Sequence, residues 1–382
     1  MVAVHLSPIP LEEVAMPNEI PIPDLDPVSL PAPFWLIKAL LLLTFFLHII
    51  PMNFALGGGF VAAVTDLIGR KRNSERHLTL ARRLAGMLPI VIAFTITLGV
   101  APLLFIQVLY GQFFYTSSVL LAWPWLSVIV LLILSYYGFY LYTLRWEHLQ
   151  GRRLVIVLGS AILFAVIGFL YTNNLVLMLT PEKWATMYFQ NPSGMHLNLS
   201  DRTVVPRFLH FFTASFALAG ILVSIFGILK QRQDAEFGQW AIRYGILWFV
   251  IATVLQLGVG SWFFLSLPRE VMLLFMGGDV FATIIFIVAL VCALASVVLM
   301  IVGYVSPKPA SKVVSGIVLI AFTIICMVLM RDIVRDAYLD RFFDASKFSV
   351  QPQTGVIVLF FVLLFVGLAV VGYMIKKVVG AR

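Results

Sequence analysis

"RFLHFFTASFALAGILVSI", residues 207–225, sets one histidine, His210, near the start of an otherwise apolar run. A helix rises 1.5 Å per residue, so about 20 apolar residues cross the hydrocarbon core of a bilayer. With the residues that follow, this run is long enough to do so. An imidazole at membrane depth has no water to bond and must find a partner inside the protein. His210 is a site candidate for that reason, and its meaning depends on what else lies at the same depth.

The rest of the chain repeats the pattern. Of 382 residues, 61% are hydrophobic and only 12% charged, with a mean hydropathy of +1.02. No water-soluble core absorbs that much apolar surface. About nine stretches qualify as spans: 34–63, 85–110, 118–143, 153–179, 207–229, 239–267, 271–304, 313–335 and 353–379. The expected fold is all-α, a polytopic membrane helical bundle. The net charge of +8 does not indicate a nucleic-acid partner, because the basic residues fall in alternate loops. Arg70, Lys71, Arg72, Arg76, Arg82 and Arg83 share one, Arg145, Arg152 and Arg153 another, and Lys376, Lys377 and Arg382 the C-terminal end. The positive-inside rule then places the N-terminus outside and the C-terminus in the cytoplasm, with the chain in the cell inner membrane.

Residues 1–33 hold Pro8, Pro10, Pro17, Pro21, Pro23, Pro27, Pro31 and Pro33, a run that suits neither a helix nor a signal peptide. They read as an extended outer-face arm, lying on this chain or on a partner, with a disordered tail as the alternative, and 34–382 as the membrane domain. Cys292 and Cys326 fall inside apolar spans and read as small buried hydrophobes. No C-x-x-C-H, P-loop, dinucleotide fingerprint or nucleophile elbow occurs.

Helix direction gives depth. On this topology His210, Met272, Met276, Asp332, Arg335 and Gln107 all come to the outer half of the membrane, with His48 deeper on the first span. His and Met are the usual axial pair of a low-spin haem, and His or a carboxylate can hold another iron. Pro51 weakens the first span's ladder, and Gly57–Gly59 let a neighbouring helix or a flat ring approach.

The ordered set resembles subunit I of the cytochrome bd quinol oxidase superfamily, from about residue 36 to 345. "LLLTFFLHIIPMNFALGGGFVAAV" (41–64) resembles that family's first helix, with His48 at its haem-binding histidine. "GVAPLLFIQVLYGQFFYTSS" (99–118) resembles the second helix. "VVPRFLHFFTASFALAG" (204–220) is similar to the helix carrying the His ligand of the low-spin b haem, at His210. "MGGDVFATIIFIVAL" (276–290) resembles the Met-ligand helix, with Met276 the first match and Met272 the second. "DIVRDAY" (332–338) resembles the family's Glu-x-x-Arg element, placing Asp332 at the carboxylate and Arg335 at the arginine. The resemblance implies two or three b haems with their iron, a quinone site and a respiratory complex.

The departures matter as much. Gln107 stands where the family has an acid, no Asp or Glu occurs between Glu75 and Glu147, and the family's long quinol loop is reduced to "SLPRE" (266–270). The expected function is therefore a haem b membrane subunit passing electrons between the quinone pool and a redox partner such as a c-type cytochrome. The alternatives are a terminal quinol oxidase reducing O2, and a haem-free structural or transport subunit.

Overall fold

A computed structural model describes residues 22–25 and 28–380. Among them are nine helices long and apolar enough to cross a membrane, and no strand. They are α1 (Phe34–Lys71), α2 (Glu75–Leu120), α3 (Ala122–Leu144), α4 (Arg153–Met178), α5 (Val204–Lys230), α6 (Ala235–Ser266), α7 (Val280–Val305), α8 (Pro309–Leu339) and α9 (Thr354–Gly380). The chain is a multi-pass membrane protein, in which helices satisfy their own backbone groups where lipid offers no partner.

Small residues set the packing, as expected where helix association is not driven by expulsion of water. A Cβ on Gly57 would stand 2.0 Å from the Ser215 carbonyl oxygen, so α1 and α5 cross backbone to backbone there. Gly220 and Gly245 face each other across α5 and α6, each with its missing Cβ within 2.5 Å of the other's carbonyl oxygen. Ser224 Oγ then donates across the same seam to the Ile242 carbonyl at 3.2 Å. The glycine run of α1 is thus filled by helices: Gly58 meets Leu88, and Gly59 meets Phe139 and Ala161. It leaves no space for a ring, and α1 runs through Pro51 with no non-helical residue. The kink is in α2 instead, at Tyr110 (φ −132°, ψ 32°).

One end of the bundle is basic. There the fully buried Asp66 pairs with Arg70 at 3.0 Å and Arg153 at 3.2 Å, and Arg70 also donates to the carbonyls of Gln150 and Gly151. This ties α1 to the start of α4. The other end carries the long connections 179–203 and 340–353. Residues 28–33 of the expected arm lie on this chain: Leu30 pairs with the 349–351 segment, donating to the Ser349 carbonyl at 2.8 Å and accepting from Gln351 at 2.9 Å. Residues 1–21, 26 and 27 of that arm lie outside the described residues.

The seventh span does not begin at 271. After Pro268 comes a short helix, Arg269–Leu273, and then a π turn, Leu274–Gly278, in which Met276 leaves helical geometry and Gly277 takes φ 104°. Asp279 accepts from the Ala282 amide at 2.7 Å and so starts α7 afresh. Met276 therefore sits in a connecting turn and Met272 in the short helix before it. That correction follows from Gly277, whose positive φ ends a helix that hydropathy alone would continue.

Candidate functional site

His48 stands nearly four turns into α1, about 21 Å along it at the helical rise. Its Nδ1 lies 3.0 Å from the Thr95 carbonyl on α2. The ring fills a notch left by Gly99, where a Cβ would come within 2.8 Å of Cε1. His210 on α5 repeats the arrangement against α6. The Gln256 amide nitrogen lies 2.9 Å from Nδ1, the Phe263 ring centroid is 5.6 Å away, and a Cβ on Gly260 would sit 3.1 Å from Cε1. Gln256 Oε1 is buried with no partner. Each histidine is thus half-buried over a glycine of the next helix.

Asp332 and Arg335 are both buried on α8, and the i, i+3 spacing pairs them directly. Lys38 of α1 joins from the side, 3.1 Å from Asp332 Oδ2, and pairs also with Asp336. The Arg335 guanidinium lies 4.4 Å over the Tyr110 ring, whose hydroxyl donates to Asp336 at 3.3 Å. The kink at Tyr110 places that ring. Asp332 therefore has Arg335 on one oxygen and Lys38 on the other, and serves as the counter-ion of two cations.

The two methionines part company. Met272 packs into the apolar cluster that includes Phe263 and Met330, whereas Met276 is 61% exposed. Gln107, half-buried beside Ile106, takes part in none of the described hydrogen bonds. So α1, α2 and α8 bring Lys38, Tyr110, Asp332 and Arg335 together, and Met276 lies exposed on the turn before α7.

Two residues at this end escaped the reading of the sequence. Arg207 lies one turn before His210, its guanidinium 5.1 Å over the Phe263 ring, and Arg331 lies 4.1 Å over Phe45. With Arg335 they line one small cavity. The available signal was their charge inside apolar spans, which is unfavourable unless used.

Outside the spans, the 179–203 connection is pinned by Lys183 to Asp201 at 2.6 Å and by Trp184 Nε1 to the Leu177 carbonyl at 2.9 Å. Burial alone would raise the Asp201 carboxyl, but its bonds from Lys183 and Thr203 hold it below the ordinary carboxylate range.

No group of three or more His, Cys, Asp or Glu that could hold a bare metal ion occurs among the described residues. A haem brings its own four nitrogens and asks the protein for one or two axial ligands, so single histidines suffice for it. At His48 the described hydrogen bonds engage Nδ1 alone, which leaves Nε2 for such an iron, and at His210 the Gln256 amide nitrogen lies 2.9 Å from Nδ1 and 3.2 Å from Nε2, so that one of the two nitrogens can be given to a ligand bond.

No family model matches the chain, and no curated protein matches it. Among solved structures it is similar to the bd oxidase from Geobacillus thermodenitrificans, with a TM-score of 0.73 and 14% identity over 93% of this chain and 100% of that one. The fold is bd-oxidase-like. At that identity the likeness speaks for the arrangement of helices, which runs nearly end to end of both chains. The expected subunit I register and ligand roles are matters of this chain's own residues.

Proposed function

We propose that this chain is a haem b subunit of a respiratory complex in the cytoplasmic membrane, its C-terminus in the cytoplasm, passing electrons between the quinone pool and a redox partner such as a c-type cytochrome. The observation that carries the reading is the repeated placement of His48 and His210, each an imidazole within a membrane span facing a glycine notch on the adjacent helix. Haem bound there supplies one-electron redox chemistry. His48 and His210 would hold one haem each, and Met276, or Met272 in the short helix before it, would complete the His210 site. Asp332 holds Lys38 and Arg335 in place and ligates no iron directly. The short connection between α6 and the Arg269–Leu273 helix leaves no quinol-binding loop of its own, so quinone meets this chain together with another subunit.

Reduced-minus-oxidised spectra and pyridine haemochrome of the purified chain test the reading. B-type bands that fall by one component in His48→Ala and by another in His210→Ala are the expected result. A chain with no haem when expressed under haem-replete conditions overturns it in favour of a structural or transport subunit. The fold similarity favours a second reading, a terminal oxidase, which oxygen consumption by the intact complex distinguishes.

A further inference from the structure

Charges around the cavity between α2, α4, α5 and α8 do not balance. Four cations gather there, Lys38, Arg207, Arg331 and Arg335, against Asp332 and Asp336. Both carboxylates are taken by Lys38 and Arg335. Asp201 is held by Lys183. Arg207 and Arg331 have no ion-pair partner among the described residues, and Arg207 Nε and Nη2 are buried without any hydrogen bond. A guanidinium cannot shed its proton in a protein, so burial cannot be relieved by neutralisation. Each has one face covered by an aromatic ring, Phe263 for Arg207 and Phe45 for Arg331, which leaves the N–H edges as the binding surface. Those edges and Arg335 line a cavity of about 20 Å³. That is room for about one water, hence for the end of a carboxylate or phosphate and not for a ring.

We propose that Arg207, Arg331 and Arg335 form an anion-binding site within the membrane, receiving the acidic group of a membrane-embedded amphiphile. A forked guanidinium matches two oxygens of a carboxylate or phosphate, and the unpaired forks of Arg207 and Arg331, with the charge of Arg335 beside them, select for such a group over a neutral one. The proposal rests on the proposed function only in its choice of occupant, the carboxylates of a haem. An anionic lipid phosphate presents the same chemistry. The site also gives Arg207 a reason to stand one turn from His210: a ligand held by that imidazole is held at its acidic edge by the same helix.

The test is binding to the full-length chain in detergent, read by absorption and by the thermal midpoint. Probes are haem b, haem b dimethyl ester, phosphatidylglycerol and phosphatidylcholine. Charge-assisted bonds of this kind make the free acid bind about tenfold or more tightly than the diester. That difference is expected in the wild type, lost in Arg331→Gln and Arg207→Gln, and partly kept in Arg331→Lys. The wild-type comparison alone decides the matter if the glutamine variants fail to fold. Stabilisation by phosphatidylglycerol over phosphatidylcholine, lost in Arg331→Gln while haem has no effect, upholds the anion site and sinks the haem reading. Equal binding of haem and diester, with no lipid preference, overturns the anion site and leaves the haem reading standing. No response to any probe overturns both.

Discussion

The His48 imidazole lies in the notch made by Gly99 of the neighbouring helix, where one added carbon would approach its Cε1 to 2.8 Å. The position of the ring is therefore controlled from α2. Gly99→Ala is expected to displace the imidazole and change or remove one b-type component while His210's component stays. His48→Ala should remove the same component. The comparison is made by difference spectra at matched protein. Two variants affecting different components would show that Gly99 does not serve His48.

The segment before α7 offers two thioethers, Met276 exposed and Met272 turned toward Phe263 and Met330. Thioether ligation raises a haem's potential relative to its absence. Replacing the ligating methionine with leucine is expected to lower the midpoint potential of the His210 haem or change its spin state. A potentiometric titration of Met276→Leu beside Met272→Leu assigns the ligand. If only Met272→Leu responds, the short helix carries the site, and if neither does, His210 works without a methionine.

Asp332 stands buried between Lys38 and Arg335. Removing one partner of a buried ion network costs about 3–5 kcal/mol, because uncompensated charge remains. Asp332→Asn should lower the thermal midpoint markedly, and Lys38→Gln less, since Lys38 is more exposed. A spectrum unchanged in Asp332→Asn at a temperature where it stays folded is expected from a counter-ion. Loss of a haem band in folded protein would instead give Asp332 a ligand's role.

The 179–203 connection supplies a pH dependence. Asp201 is held below the usual carboxylate range, so its folded pKa lies under the unfolded value of about 3.9. The clamp to Lys183 is fully present above that unfolded value and is lost as pH falls through the folded one. Proteolysis of the loop should rise only below about pH 4 in the wild type. In Asp201→Asn it should be raised already at neutral pH and depend little on acid. A wild-type loop that opens between pH 5 and 7 would assign control to another group.

The helices were legible because hydropathy over a whole span outweighs any one residue. Three things were not. The break at Gly277 uses apolar and small residues that look like a continuing helix. Gly57–Gly59 and Gly99 look alike as letters, yet one run is filled by Ser215, Leu88 and Phe139 and the other glycine by a histidine. Only the pairing of helices decides which. Asp66, Arg207 and Arg331 take their meaning from cross-helix neighbours, a guanidinium for the first and an aromatic ring in place of a carboxylate for the others.

Electron transfer between haems needs no proton path, whereas four-electron reduction of oxygen consumes protons at a buried iron. Between Glu75 and Glu147 the chain has no carboxylate, so α2 beyond its first residue and all of α3 bring none into the membrane. Gln107 is half-buried in α2, and an amide orients water but does not take and release a proton near neutral pH. At the loop end Asp332 and Asp336 pair with Lys38 and Arg335, and Asp201 with Lys183. The intact complex, supplied with quinol or a reduced cytochrome in an oxygen electrode, is therefore expected to consume oxygen far below about 10 per second, an ordinary enzyme turnover. It should still reduce and reoxidise its haems. Cyanide-sensitive turnover at or above that rate, abolished by His48→Ala, would show that protons reach His48's haem by ordered water alone and that this chain is an oxidase.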